Sequence, residues 1–121
     1  IVEPFVTSLE FIKQQKINGN EYTNKLNGIN SQEVLESAEH AYYLYPILVD
    51  RRNDFIKMMK DKGIEAGQYH TRNDLHPCFE DFRLELPHLD EIHEKIVCLP
   101  VGWWVTDEDR EKIIDSFNAG W

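Results

Sequence analysis

A chain of 121 residues, 41% hydrophobic and 29% charged, has the size and mix of one soluble globular domain, and its three Trp, five Tyr and six Phe can build one modest core. With 22 acidic residues against 13 basic, the formal net charge is −9. That field argues against non-specific binding to nucleic acid or to an anionic membrane, while leaving room for a local basic pocket that takes one small anion.

The longest apolar run, residues 41–49, contains Pro46 and is far too short to cross a bilayer. Polar and charged residues over 8–16 interrupt any signal-peptide core. Cys78 and Cys98 lie far apart and form no Cys-x-x-Cys pair, so reduced thiols in a cytoplasmic protein are the simpler reading. The chain opens on Ile1 rather than Met, which raises the expectation of a piece of something longer.

In chain order, residues 3–15 place Phe5, Val6, Leu9 and Ile12 near one helical face. Asn18-Gly19-Asn20 then reads as a stop or a bend. A second short helical stretch runs through Tyr22 and Leu26 to the cap-like pair Asn27-Gly28. Residues 31–38 are polar and predict a loop or a short helix. Residues 41–49, rich in Tyr, Leu, Ile and Val, predict a strand in which Pro46 argues for an edge position or a bulge. Asp50 is the candidate N-cap of a helix over 51–62, with Phe55, Ile56 and Met59 on its apolar face and Gly63 as its stop. Residues 64–69 predict a further strand of weaker composition.

From Thr71 to Leu86 no period is sustained, which predicts a long ordered loop, a feature often tied to function. Pro87 opens a short helix through Glu94, and residues 96–99 form a short buried strand closed by Pro100. Thr106-Asp107-Glu108-Asp109 opens a last helix with a capping-box pattern and an acidic first turn, ahead of the apolar Ile113, Ile114 and Phe117. The order strand, helix, strand, loop, helix, strand, helix predicts an α+β two-layer sandwich with helices on one face of a small sheet. Residues 1–38 are an attached N-terminal helical segment, and 39–121 the small α+β domain.

The densest polar cluster, residues 68–79, holds His70, Arg72 and His76 at the end of a predicted strand. Imidazole with guanidinium can grip a phosphate or a sugar hydroxyl; on residue types alone the simpler reading is that His70 and Arg72 hydrogen-bond loop carbonyls and neighbouring carboxylates. His70, His76 and Cys78, with His88 or His93, are ligand types that zinc accepts. Their His-x5-His-x-Cys spacing fits no standard zinc pattern, so ordinary loop residues are the simpler reading and no metal is expected. Glu80-Asp81 and Asp90-Glu91 read as solvated surface in so acidic a chain. Ser8, Ser31, Ser37 and Ser116 lie in no nucleophile elbow, and no glycine-rich phosphate loop is present. Trp103-Trp104 reads as packing against the sheet or as an interface.

Three pieces taken together carry a family resemblance. They are Tyr43-Leu44-Tyr45-Pro46 running into Arg51-Arg52-Asn53-Asp54-Phe55, then Lys62-Gly63-Ile64 leading to His70 and His76-Pro77, and finally Cys98-Leu99-Pro100-Val101 followed by Thr106-Asp107-Glu108. In this order and spacing they resemble the C-terminal small domain of the DegT/DnrJ/EryC1/StrS sugar aminotransferases, which are pyridoxal-phosphate enzymes of fold type I. The likeness covers residues 39–118 and extends loosely back through Asn20-Glu21-Tyr22 and Leu26. The family's usual His-Tyr pair stands here as His70-Thr71.

The resemblance implies a small, mainly antiparallel sheet. It also implies transfer of an amino group, usually from glutamate, to a keto group on a nucleotide-linked sugar, with pyridoxal phosphate as cofactor of the complete enzyme. In the family the aldimine lysine, the acid on the pyridine nitrogen and the phosphate cup come mainly from a large N-terminal domain. Lys57, Lys60 and Lys62 lie on a charged solvated helix and not in such a segment. The expectation is therefore a chain with no catalytic or cofactor-binding residues of its own. It would form one wall of the substrate cleft and part of a dimer scaffold, partnered by a large cofactor-binding domain or a second subunit, a homodimer included. His70 and His76 would face nucleotide sugar, with Arg72 as a phosphate contact. The rival expectation is a stand-alone binding or protein-interaction module without transaminase activity.

Overall fold

The computed structural model describes residues 3–121, with side chains from Thr7 onward; the expected apolar roles of Phe5 and Val6 lie outside the described side chains. Helix α1 (Glu3–Lys25) is followed by strand β1 (Tyr45–Leu48), helix α2 (Arg52–Asp61), two 3-10 turns (Asn73–Leu75 and Pro77–Phe82), helix α3 (Pro87–Lys95), strand β2 (Ile96–Leu99) and helix α4 (Asp107–Asn118). Strands β1 and β2 pair antiparallel, with Tyr45 opposite Leu99 and Leu48 opposite Ile96. Single bridges widen this ribbon on both sides, Ser31 to Ile47 and Gly67 to Cys98. The α+β class expected from the sequence is the one observed.

Pro46 sits in this ribbon at no cost to the ladder. Cys98 spends its own N–H and carbonyl on Gly67, at 2.8 and 3.2 Å, so its pairing with Pro46 is of the non-hydrogen-bonded kind. The missing N–H of Pro46 therefore points away from β2. β1 is also shorter than expected. Residues 41–44 leave the strand because Tyr42 takes a left-handed backbone (φ 53°), which ends any extended run.

Helices α2 and α4 form for the local reasons that their sequences advertise. At the end of α2, Gly63 (φ 75°) donates to Lys60 O at 2.8 Å and Ile64 donates to Met59 O at 2.8 Å, the two bonds of a Schellman motif. The buried pair Met59 and Ile64 closes that turn from inside. Thr106 caps α4 reciprocally: its Oγ1 accepts from Asp109 N at 3.1 Å while Asp109 Oδ2 accepts from Thr106 N at 3.2 Å. Asp50, by contrast, does not cap α2. That position falls to Arg51 in a left-handed conformation with no side-chain cap, and Asp50 instead offers its carbonyl to Trp121 Nε1 at 2.9 Å.

The core is one cluster drawn from every layer: Tyr22 of α1 and Leu26 just past its end, Phe55 and Met59 of α2, Ile47, Val97 and Leu99 of the ribbon, and Ile113, Ile114 and Phe117 of α4. Ile56, expected on the apolar face of α2, is only half-buried. Residues 64–69 form no strand; only Gly67 pairs, although Ile64 and Ala66 are buried in alternation.

The largest departure from expectation is α1, which runs unbroken through Asn18-Gly19-Asn20. Asparagine and glycine cost a helix something near 1 kcal/mol each relative to alanine, so tertiary contacts must offset them. Asn18 is fully buried and donates its amide to the carbonyls of Val101, Gly102 and Val105 at 3.5, 3.1 and 3.2 Å. Its Oδ1 accepts from Arg110 Nη1 at 3.0 Å. Gly19 lies flat against the Tyr42 ring, where an added Cβ would fall 2.3 Å from Cγ. Asn20 accepts the Tyr42 hydroxyl at 2.8 Å.

Replacing Asn18 with alanine leaves three carbonyls and the Arg110 guanidinium short of a buried partner. The expected loss is about 3 kcal/mol, read as a lower urea midpoint at unchanged slope. A loss under about 1 kcal/mol would mean that this amide is not the joint described here.

Candidate functional site

The segment that carries His70 is aimed from its two ends. After the Gly63 turn the chain is drawn onto β2 through the two Gly67–Cys98 hydrogen bonds. Gln68 is then fixed from both sides: its Oε1 accepts from Arg52 Nη1 at 3.3 Å, and its Nε2 lies 3.0 Å from His93 Nδ1. Arg52 Nη1 also donates to the His93 carbonyl, so the first turn of α2, this segment and the end of α3 meet at one point. His70 follows directly, exposed and with no hydrogen-bond partner among the described residues.

Beyond it the expected long loop is ordered by two arginines. Arg72, with a side chain only 10% exposed, donates Nε and Nη2 to the two oxygens of Asp74 at 2.9 and 2.6 Å and Nη1 to Asp90 at the start of α3. The pairing holds the Asp74 carboxyl below the usual carboxylate range, and the two carboxylates push the Arg72 guanidinium further up. Arg83 reaches back to the carbonyls of Asp74 and Leu75 at 2.9 and 3.2 Å. Within that frame every residue from 75 to 92 is exposed, Phe82 and Leu84 to 77% each.

His70, Arg72, Asn73 and Asp74, with Leu86 and Leu89, line an open cavity of about 530 Å³. His76 is not part of that lining. It sits exposed between the two 3-10 turns and contributes backbone bonds, donating to Asn73 O at 3.1 Å and accepting from Phe79 N at 3.0 Å. Of the three residues singled out in the sequence, the fold thus brings His70 and Arg72 to one wall. Asp90, read from the sequence as solvated surface, is the second partner of Arg72; Arg52 figured in the sequence only within the motif that carries the family resemblance, since its tying role depends on contacts 16 and 41 residues away.

Among the described residues no three His, Cys, Asp or Glu side chains converge as a metal would require, and His70, His76 and Cys78 are not gathered into one set. Cys98 is buried, and burial pushes its thiol up, away from reactivity. Trp103 stacks on Phe11 of α1 (centroids 4.3 Å apart, 18° between planes) and not on the sheet, while Trp104 lies over Gly102 and stays 64% exposed. No helix among the described residues is long and apolar enough to cross a membrane.

Residues 6–118 match the DegT/DnrJ/EryC1/StrS aminotransferase family. The chain belongs to that family. Its fold superposes on the sugar aminotransferase CalS13 of Micromonospora echinospora with a TM-score of 0.88 at 31% identity, over 93% of this chain and 31% of that one. AtS13 of Actinomadura melliaura gives 0.86 at 36% identity, over 97% of this chain and 32% of its own. A relative of uncharacterised function in Methanocaldococcus jannaschii, MJ1066, is 27% identical over 114 residues, which are 86% of this chain and 28% of the relative. The chain therefore spans less than a third of the length of these relatives.

The loop frame makes a prediction of its own. Arg72→Ala should raise chymotryptic cleavage at Phe79 and Phe82 severalfold while leaving the global unfolding midpoint nearly unchanged. Because the folded-state value of Asp74 is lowered, its stabilisation is complete above the ordinary carboxylate value of about 3.9 and fades as pH falls through the lowered value. Loop amide shifts followed by NMR during an acid titration should move in that range in the native chain, and Arg72→Ala should abolish the lag relative to a free carboxylate.

Proposed function

We propose that this chain is the C-terminal small domain of a pyridoxal-phosphate-dependent nucleotide-sugar aminotransferase, supplying one wall of the substrate cleft and part of the dimer scaffold. The reading rests on the family membership and on one feature of the site, an imidazole on a segment tied down on either side of it, its own ring left without a protein partner. The ties at Gly67 and Gln68 fix where His70 sits, so its ring is offered to something outside this chain. A sugar hydroxyl or a phosphate oxygen is the chemistry that such a ring takes.

Arg72 brings a guanidinium to the same wall, where an anionic oxygen reaches it in competition with Asp74 and Asp90. His76 stands one 3-10 turn further along the loop as a second imidazole with no protein partner among the described residues. The apolar side chains that the loop exposes, Phe79, Phe82 and Leu84 among them, support a covering partner, either a large domain or a second subunit.

The residues of this chain do not fit the cofactor itself. A lysine that forms a Schiff base is partly desolvated and has its pKa lowered. Here Lys57 is held at 2.6 Å by Asp61, which pushes it up, Lys16 is paired with Glu39 at 2.6 Å, and Lys13, Lys60, Lys62 and Lys112 are exposed. Lys25 and Lys95 are likewise pushed up by carboxylates. Pyridoxal phosphate is accordingly assigned to the complete enzyme, and no transamination is expected of these residues alone.

In the complete gene product, His70→Ala should weaken nucleotide-sugar binding about tenfold and leave pyridoxal-phosphate binding unchanged, as measured by calorimetry and by the cofactor's absorbance. Equal loss of both would count against a substrate wall. The coding frame upstream of the Ile1 codon tests the wider reading: a continuous frame with a lysine-bearing cofactor domain supports it, and a start codon directly before Ile1 removes it.

A further inference from the structure

A second cavity, of about 720 Å³, opens between α1 and residues 29–42. Its walls carry Lys16, Asn20, Ser31, Gln32, Glu39 and His40. The substrate wall described above uses none of them. What sets this cavity apart is the way His40 is held. The backbone N–H of Tyr42 donates to His40 Nδ1 at 2.7 Å. A backbone N–H can only donate, so Nδ1 is the accepting nitrogen and the neutral ring carries its proton on Nε2. That Nε2–H meets Gln32 Oε1 only at 3.4 Å, a long and weak contact.

The holding is expensive in local terms, and several otherwise unfavourable residues serve it. Tyr42 is one of two non-glycine residues with positive φ among those described. Its ring presses on Gly19, where any Cβ would collide, and its hydroxyl is taken by Asn20. Gln15 donates to the carbonyls of Ala41 at 3.2 Å and Tyr42 at 2.7 Å. The His40 ring then stacks on Tyr42, with centroids 4.4 Å apart. A strained backbone, two helix-poor residues and a fixed tautomer all converge on one oriented N–H donor.

We infer that this cleft binds the hydroxylated ring of a sugar, with His40 Nε2–H donating to a ring hydroxyl. The proposal rests on the sugar-aminotransferase reading for its substrate class and adds a contact which that reading does not contain. Charge separates this ligand from a phosphate. Lys16 is already paired with Glu39 at 2.6 Å, and Glu33 adds a further negative charge to the lining, so an anion is disfavoured. A neutral polyol is suited by the same mixture of amides, hydroxyls and carboxylates, which offers it both donors and acceptors.

The test uses the complete gene product, labelled with 15N at histidine and titrated with UDP-glucose and separately with UDP. The expected result is a His40 Nε2 shift with UDP-glucose and none with UDP. In His40→Asn, the shorter side chain keeps an oxygen for the Tyr42 amide but has no group at the Nε2 position. It should raise the dissociation constant at least about tenfold while the Tyr42 amide stays protected from exchange, which separates lost binding from lost folding. An equal His40 response to UDP overturns the sugar assignment. A silent His40 beside a responding His70 overturns this inference and spares the substrate wall. A responding His40 beside a silent His70 keeps the cleft and removes that wall, and silence of both overturns both.

Discussion

One buried carboxamide governs how the helices sit on the ribbon. Asn18 joins the middle of α1 to three carbonyls of the turn that leads from β2 into α4, and through Arg110 Nη1 it reaches Asp107 in the first turn of α4, at 2.7 Å. One helical turn later the Tyr22 hydroxyl donates to Pro100 O at 2.7 Å on the same stretch of chain. Within that turn Gly102 O accepts from Val105 N at 3.0 Å, and the Asn18 amide supplies the donors that the buried carbonyls still need. The joint is not complete: Arg110 Nε is buried and makes no hydrogen bond among the described residues, its only counter-charge there being Glu111 at 4.0 Å. A guanidinium with one unmet donor keeps this junction dependent on every other bond that it makes.

The parts of the fold that were legible in the sequence are those whose cause is local. The Gly63 stop, the Thr106 box and the short apolar strand closed by Pro100 each need only a few neighbouring residues to make sense, and each lies where it was expected. Asn18-Gly19-Asn20 misled for the opposite reason. The same residues that break helices by propensity are the ones a helix needs when another backbone must approach closely or a buried carbonyl must be met. Likewise 64–69 has the alternation of a strand and buries Ile64 and Ala66, but only Gly67 finds a ladder partner, because Gln68 turns aside to Arg52 and His93.

The candidate site was half legible on the same grounds. A loop rich in imidazole and guanidinium announces itself in composition, and His70 does lie on a cavity wall with Arg72. What composition cannot carry is the partner set. The carboxylates that engage Arg72 lie two and eighteen residues away, so the plain reading of its charge as a tie to neighbouring carboxylates holds, with a second partner that only the fold picks out. His40 is the mirror case. It stands alone in a polar stretch, and only the left-handed turn at Tyr42 shows that its tautomer is fixed.

His70 and His40 differ in how their orientation is obtained. His70 is placed by ties on either side of it while its own ring stays uncommitted, so binding must still cost the ring some rotational freedom. His40 has one nitrogen already committed to the backbone, and its ring is stacked, so that freedom is lost when the protein folds and not when a ligand arrives. The expense appears instead as a strained Tyr42 and a glycine inside α1, held by Gln15 and Asn20 on the same helix that carries the Asn18 joint. One helix thus carries both the fold's central junction, at Asn18, and the residues that aim His40, at Gln15, Gly19 and Asn20. The surface loop of His70, framed by its own arginines, is free to open without either.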